Sequence, residues 1–301
     1  MEIVHTPVLV EETLALLGPR KDGELMADGT IGEGGHSEAF LRSFPETRIV
    51  GIDADKTILE TAKKRLAEFG NRIEFYAGWS QTFFAERRNT FDTILIDSGI
   101  SVFHYARSGR GFSFSKDEPL DMRLDTGQGM SAADLIERLS EKDFADLLFN
   151  NAEERYSRRI ARAVTEARTR GRIASAGALA DIVARAVPPT YRRARLHPAT
   201  KTFQALRMAV NGELIRLPTL LENATNALKV RGRLGFISFE SLTDRTVKLF
   251  FKERYREGTV TMTTKRAVCA SVEEIRQNPP SRSARLRVIE KKEKKGEKEN
   301  I

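Results

Sequence analysis

Three aspartates stand where short apolar runs stop. Asp28 follows Glu24-Leu25-Met26-Ala27, Asp53 follows Arg48 to Ile52, and Asp97 follows Thr93 to Ile96. After the first run comes Asp28-Gly29-Thr30-Ile31-Gly32-Glu33-Gly34-Gly35-His36-Ser37. Glycines at this density let a backbone turn tightly and approach a ligand where a Cβ would clash. Asp53 comes twenty-one residues after Gly32, an interval at which a carboxylate ending a second strand can accept ribose hydroxyls. Together these residues describe a nucleoside site. A dinucleotide would need G-x-G-x-x-G and a free helix N-terminus for its pyrophosphate, but Ser37 occupies the third glycine position. S-adenosylmethionine carries no phosphate, and its sulfonium and amino acid end need acceptors such as Asp28 and Glu33. A purely structural glycine turn is the alternative, and His36 taken alone reads as a helix-start histidine.

Asp97 opens Asp97-Ser98-Gly99-Ile100-Ser101. The amine of a nucleobase is a poor nucleophile because its lone pair is delocalised into the ring. A carboxylate that accepts one of its N–H bonds draws the lone pair towards an incoming methyl group. Asp97 is the candidate for that role, or else a ligand of the cofactor. Amine methylation needs no cysteine nucleophile, and Cys269 reads as a small buried hydrophobe. Further on, Arg110-Gly111-Phe112-Ser113-Phe114 and Pro119-Leu120-Asp121-Met122-Arg123 join aromatics that can stack bases to arginines that can grip phosphate. Phe112 and Phe114 could equally anchor their loop on the core. A helix opening in His197 to Arg207 sets Thr200, Lys201, Gln204 and Arg207 on one polar face, for substrate or for solvent.

The elements that must position these residues follow from periodicity. The first hundred residues alternate apolar runs with helical patterns, the signature of βαβ units and a parallel sheet. Thr6-Pro7 reads as a helix start, with the helix ending at Gly18, and Lys56 to Phe69 as a second helix closed by Gly70. Ser98 to Met130 has no sustained period and reads as a long loop. Ser131 to Ala186 reads as helix throughout. Sheet logic resumes near Leu234, with a helix from Leu242 to Arg254 after it. The expected organisation is a core of residues 1–105 and 211–289, an inserted helical domain at 106–210, and a disordered Lys/Glu tail at 290–301.

Composition bounds the rest. At 40% hydrophobic and 31% charged residues the chain can build a core. It has no apolar run long enough to span a bilayer and no signal-like start. One cysteine and four scattered histidines argue against a disulfide or a metal site. A cytoplasmic protein is expected. Of the net charge of +8, Arg155 to Arg207 supplies thirteen basic residues against Glu166 and Asp181. So one-sided an excess favours a polyanion. Acidic lipid is disfavoured, because no basic stretch carries the aromatic face of an interfacial helix.

These blocks, with Arg159-Ile-Ala-Arg, Ile237-Ser-Phe and Asn278 to Arg287, stand in the order found in the bacterial RsmH (MraW) family, which the chain resembles from about His5 to Arg287. The resemblance implies a class I (Rossmann-like) α/β methyltransferase core with an inserted all-helical domain. It implies S-adenosylmethionine as cofactor and N4 of a cytidine in the decoding region of 16S ribosomal RNA, within the small subunit, as substrate. It leaves a homodimer open. Carried over by position, the cofactor contacts are Gly34, Gly35, His36, Asp53, Trp79, Asp97 and His104. Trp79 stands where the family usually has Phe, His104 where it has Gln, Ser98 where it has Leu, and Glu240 where it has His. An RNA-binding assembly protein that lost turnover is the second reading, and a nicotinamide oxidoreductase the third.

Overall fold

A computed structural model describes residues 6–193 and 196–293. The elements are, in order, α1 (Val10–Leu17), β1 (Leu25–Asp28), α2 (Gly35–Ser43), β2 (Arg48–Asp53), α3 (Lys56–Arg65), β3 (Ile73–Ala77), α4 (Ser80–Ala85) and β4 (Phe91–Asp97). Then come α5 (Val102–Ala106), α6 (Ala132–Arg138), α7 (Glu141–Ala152), α8 (Ser157–Arg168), α9 (Ala176–Ala186), α10 (Pro189–Arg192), α11 (Thr200–Val210) and α12 (Glu213–Ala227). The chain finishes with β5 (Leu228–Ser238), α13 (Ser241–Arg256), β6 (Val260–Met262), β7 (Val268–Cys269), α14 (Val272–Gln277) and β8 (Arg285–Lys291). Residues up to Gly99 and from Arg216 onward form one compact unit, and Ile100–Ile215 a second.

The first unit is an eight-stranded sheet in the order β3-β2-β1-β4-β5-β8-β6, with β7 on β8. The first five strands of that order are parallel, and β8 enters antiparallel between β5 and β6. This is the doubly wound α/β plan of class I methyltransferases. Side-chain alternation divides the core into two layers, as the two-residue period of a strand requires. Met26, Leu95, Ile237, Leu286 and Val288 face the layer shared with Leu17, Phe40 and Leu59. Ala27, Ile94, Ile96, Phe236 and Ile289 face the layer shared with Leu221, Val247 and Phe251.

Several boundaries differ from expectation. The first helix starts at Val10, not at Thr6-Pro7, because Thr6 to Leu9 is spent on tertiary bonds. Leu9 is fully buried at φ 53°, and its N–H donates to Glu274 Oε1 at 2.7 Å. Arg233, buried in β5, donates to the carbonyls of Leu16, Leu17 and Gly18 and so finishes α1. The second expected helix ends at Arg65, giving way to a short 3-10 segment. α12 was illegible because Pro218 lies inside it. Cys269 is exposed on β7, not buried. Of the expected tail, Glu290 and Lys291 complete β8, and residues 294–301 lie outside the described residues.

The second unit has its own core, built on Phe112, Leu120, Met122, Phe144, Leu148, Ile160, Leu179 and Leu206. The segment read as a long loop runs through that core. Leu120 N–H donates to the Ala174 carbonyl at 2.8 Å and Ala176 N–H to that of Glu118 at 2.9 Å, around a bridge between Pro119 and Ser175. Gly111 cannot be replaced cheaply. It sits at φ +68°, and a Cβ there would lie 2.4 Å from the Pro119 carbonyl oxygen. Met122 also takes a positive φ, 61°. It is held there by burial, by its N–H to Arg110 O at 2.8 Å, and by Asn211 Nδ2 donating to its carbonyl at 2.8 Å.

Candidate active site

Register places the three aspartates. In the sheet, Asp28 of β1 pairs with Gly51 on one side and Leu95 on the other. Asp53 and Asp97 therefore lie two residues further along the flanking strands, both at the carboxyl edge, where doubly wound sheets bind ligands. The glycine turn that leaves β1 crosses this edge and is tied to both neighbours. Gly29 N–H donates to Leu95 O at 2.8 Å, and Ile31 N–H to Ile52 O at 2.9 Å. Gly32 N–H donates to Asp53 Oδ2 at 3.0 Å, and Asp55 N–H to Asp53 Oδ1 at 2.8 Å. On the other side, Asp97 N–H donates to Thr30 Oγ1 at 2.6 Å, and Gly99 N–H to Asp97 Oδ1 at 2.8 Å. Each bond to a carboxylate fixes its direction.

Asp28 lies beneath the turn and is almost wholly buried. Ser37 Oγ donates to its Oδ2 at 2.7 Å and Thr30 N–H to its Oδ1 at 3.3 Å. Burial outweighs these bonds and the nearby His36, and Asp97 adds like-charge repulsion, so the carboxyl pKa is raised to about 6. Ser37 is thus more than an absent glycine: its hydroxyl holds the buried acid.

The remaining expected contacts sort into two kinds. Trp79 follows β3 at the same edge, half-buried, with the Arg216 guanidinium 4.0 Å from its ring. A Cβ on Gly34, which sits at φ +85°, would lie 3.0 Å from Leu66, and one on Gly35 would lie 3.0 Å from Pro7, so protein packs closely on both. Only their backbone, at the start of α2, can meet a ligand. Gly32 differs: at φ +52° its nearest neighbours would be 3.9 Å from an added Cβ, leaving that face open. His36 is buried, its Nε2 sits 2.8 Å from Val8 O, and burial lowers its pKa. Its ring pins the segment before α1 and does not present itself as a ligand contact. His104 belongs to the second unit, where it is buried and edge-on to Phe112 at 5.2 Å.

The substrate candidates of the second unit are largely consumed by folding. Phe112 is a core residue at 4% exposure and cannot stack an RNA base. Phe114 stacks on His197 at 4.4 Å and meets Phe203 edge-on at 5.1 Å, anchoring its loop. Arg110 donates to the carbonyls of Arg123 and Leu124 at 2.8 and 3.0 Å. Asp121 and Arg123 form a two-pronged pair at 2.7 and 2.8 Å. This pairing holds the Asp121 carboxyl below its ordinary pKa against the opposing effect of burial. Arg207 is buried and paired with Glu213 at 2.9 and 2.8 Å. Lys201 donates to Glu153 O at 2.9 Å. These residues therefore shape the unit, and on α11 both Lys201 and Arg207 are already bonded to protein.

Sequence reasoning missed one cluster. Asp244, at the start of α13, accepts from Arg287 at 2.7 and 3.0 Å and from Arg285 at 3.2 Å. It ties α13 to β8 beside Phe239, whose ring lies where a Cβ on Gly99 would come within 2.6 Å. Nothing in the spacing of residue 244 and residues 285 and 287 announces such a pairing.

The site's chemistry fits S-adenosylmethionine. Between Asp28 and Ser37 there is no lysine or arginine, and Asp28, Asp53 and Asp97 gather at this edge, while the Arg216 guanidinium lies on the Trp79 ring. A pyrophosphate would be repelled there, whereas a sulfonium cation is attracted. Asp53 would hold the ribose hydroxyls, Trp79 a face of the adenine, and Asp97 the end that carries the methyl group.

Known proteins give the chain its family. The MraW methylase family matches residues 2–292. A protein of Treponema denticola named ribosomal RNA small subunit methyltransferase H is 53% identical over 309 residues, covering 97% of this chain and 98% of its own. One of the same name from Nostoc punctiforme is 44% identical over 288 residues, covering 95% and 94%. Among solved structures, an rRNA methylase from Streptococcus thermophilus aligns over 94% of each chain at 11% identity and a TM-score of 0.41, which adds nothing to the fold the strand order already gives. With its strand order, its acid-lined glycine turn and these matches across nearly its whole length, the chain belongs to the MraW methylase family.

Proposed function

We propose that this protein methylates N4 of a cytidine in the decoding region of small-subunit ribosomal RNA, using S-adenosylmethionine. The observation that carries the reading is that one glycine turn is bonded to both Asp53 and Asp97, on the two strands flanking β1. Bound S-adenosylmethionine supplies an electrophilic methyl group. Asp97, its carboxylate already fixed by Gly99, accepts an N–H of the cytosine amine and pulls the nitrogen lone pair out of conjugation with the ring. As the N–C bond formed, the bond from the methyl group to the sulfonium sulfur would break to leave the neutral thioether, and the Asp97 carboxylate would take the proton the amine sheds. Positioning and electrostatics of this kind supply most of the acceleration in group transfer. Cys269, exposed on β7, has no part in it, which suits amine chemistry. The relatives' names support ribosomal RNA of the small subunit as substrate.

The test is methyl transfer from labelled S-adenosylmethionine to small subunits purified from a strain lacking the enzyme, with the modified nucleoside identified by mass. Labelled N4-methylcytidine is expected. Asp97→Asn is expected to lower kcat about a hundredfold or more, within the usual range for a lost proton acceptor. Equal turnover by wild type and Asp97→Asn would overturn the assignment of Asp97. Cofactor binding by calorimetry without any transfer would favour the assembly-protein reading.

A further inference from the structure

The exposed cations of the second unit lie elsewhere than the residues first nominated for RNA. Arg155, Arg158, Arg159 and Arg162 recur at the i, i+3, i+4, i+7 spacing along α8 and the residues before it. All four are exposed, while Ser157, Ile160, Ala161 and Val164 are buried on the opposite face. Only Arg162 has a carboxylate partner among them, Glu166 at 2.8 Å. Arg192 and Arg193, at the end of α10, are exposed as well. Among the described residues no acid pairs with Arg158, Arg159, Arg192 or Arg193. Like charges four apart on a helix repel, so a face of this kind weakens an isolated helix unless something neutralises it.

The two arginine-bearing segments are held together by a buried device. Glu154 is completely buried, accepting from Tyr156 N–H at 2.8 Å and from the Tyr191 hydroxyl at 2.8 Å. The two tyrosine rings meet edge-on at 5.0 Å. The Arg155 guanidinium lies 4.9 Å from the centre of one ring and 4.8 Å from that of the other. Two aromatic contacts fix the direction of an otherwise flexible charged group. A solvated helix face would need no buried carboxylate to orient it.

We propose that the outer face of α8, with Arg192 and Arg193, is a docking surface for the phosphodiester backbone of structured ribosomal RNA. It supplies affinity and orientation without reading base identity. The inference rests on the methylation of ribosomal RNA proposed above. Arginine forks suit phosphate oxygens in pairs, and backbone contacts of this type position a protein on nucleic acid while leaving sequence to other groups.

The test replaces Arg158, Arg159, Arg192 and Arg193 together by Gln, and in a second protein by Lys. The Gln protein is expected to show KM for small subunits raised about tenfold or more at low salt, with kcat at saturation and cofactor binding unchanged. The dependence of log affinity on log salt should flatten by about 3 to 4, a little under one step for each of the four lost phosphate contacts. The Lys protein should keep most of the affinity, and Lys248→Gln with Lys252→Gln on α13 should leave KM alone. An unchanged KM and salt slope in the Gln protein would overturn the proposal, as would an equal loss from the α13 pair. Binding to anionic lipid vesicles, but not to RNA, through the same four arginines would overturn it in favour of a membrane. If wild type itself transfers no methyl group to small subunits, it is the function proposed earlier that fails, and RNA binding by the Gln protein still decides this surface.

Discussion

The two units use charge in opposite ways. In the first, the carboxylates of Asp53 and Asp97 are bonded to backbone N–H groups, yet remain at the open edge of the sheet. In the second, Arg110, lying in irregular chain, is drawn inward, while Arg158, Arg159 and Arg162 on the regular helix α8 stay outside; Arg207, on α11, is the exception, drawn in by Glu213. The difference has a general cause. A strand or helix satisfies its own backbone, so its side chains are free for other work. A coil through a core leaves carbonyls unpaired, and nearby arginines are recruited to them. Arg110, which caps two carbonyls of its own loop, shows the second case.

Phe112→Ala is the sharpest attempt to break this contrast. Removal of a buried phenylalanine should cost about 4 kcal/mol of stability, measured by urea unfolding. Normal stability with a raised KM for RNA would return Phe112 to the role of a base-stacking residue. Asp28 offers a test in the first unit. Its folded pKa, about 6, lies above the ordinary value, so its contribution to stability is intact below about pH 4 and is lost as pH rises through 6. Asp28→Asn does not titrate, and its stability relative to wild type should rise by about 3 kcal/mol from acid to neutral pH. A difference that stays flat with pH would mean the acid is not strained by burial. The smallest effect is expected at Arg162→Gln. Its pair with Glu166 is exposed, and its loss should leave the urea unfolding midpoint unchanged within error. A lowered midpoint would mean that the outer face of α8 is structural after all.

What was legible in the sequence follows the same division. Asp53 and Asp97 could be placed because strands end predictably and the glycine turn between them has one sensible position. The arginine excess was visible, but which arginines were available was not, because Arg207 and Arg162 both sit in helices and it is burial that separates them. Gly34 and Gly35 stood out as ligand glycines, but spacing could not tell that Leu66 and Pro7 pack beside them. The Thr6-Pro7 start failed for a related reason: a distant glutamate, Glu274, outcompeted a local cap. The role of Asp244 needed partners some forty residues away.

The antiparallel strand β8 lies inside the sheet, between β5 and β6, although it is the last strand of the chain. A ribosome emitting this protein from its first residue therefore releases the whole helical unit, one uninterrupted stretch, before any of β5 to β8 exists. The catalytic sheet must wait with its interior strand missing, and closes only when residues 285–291 arrive to fill the gap.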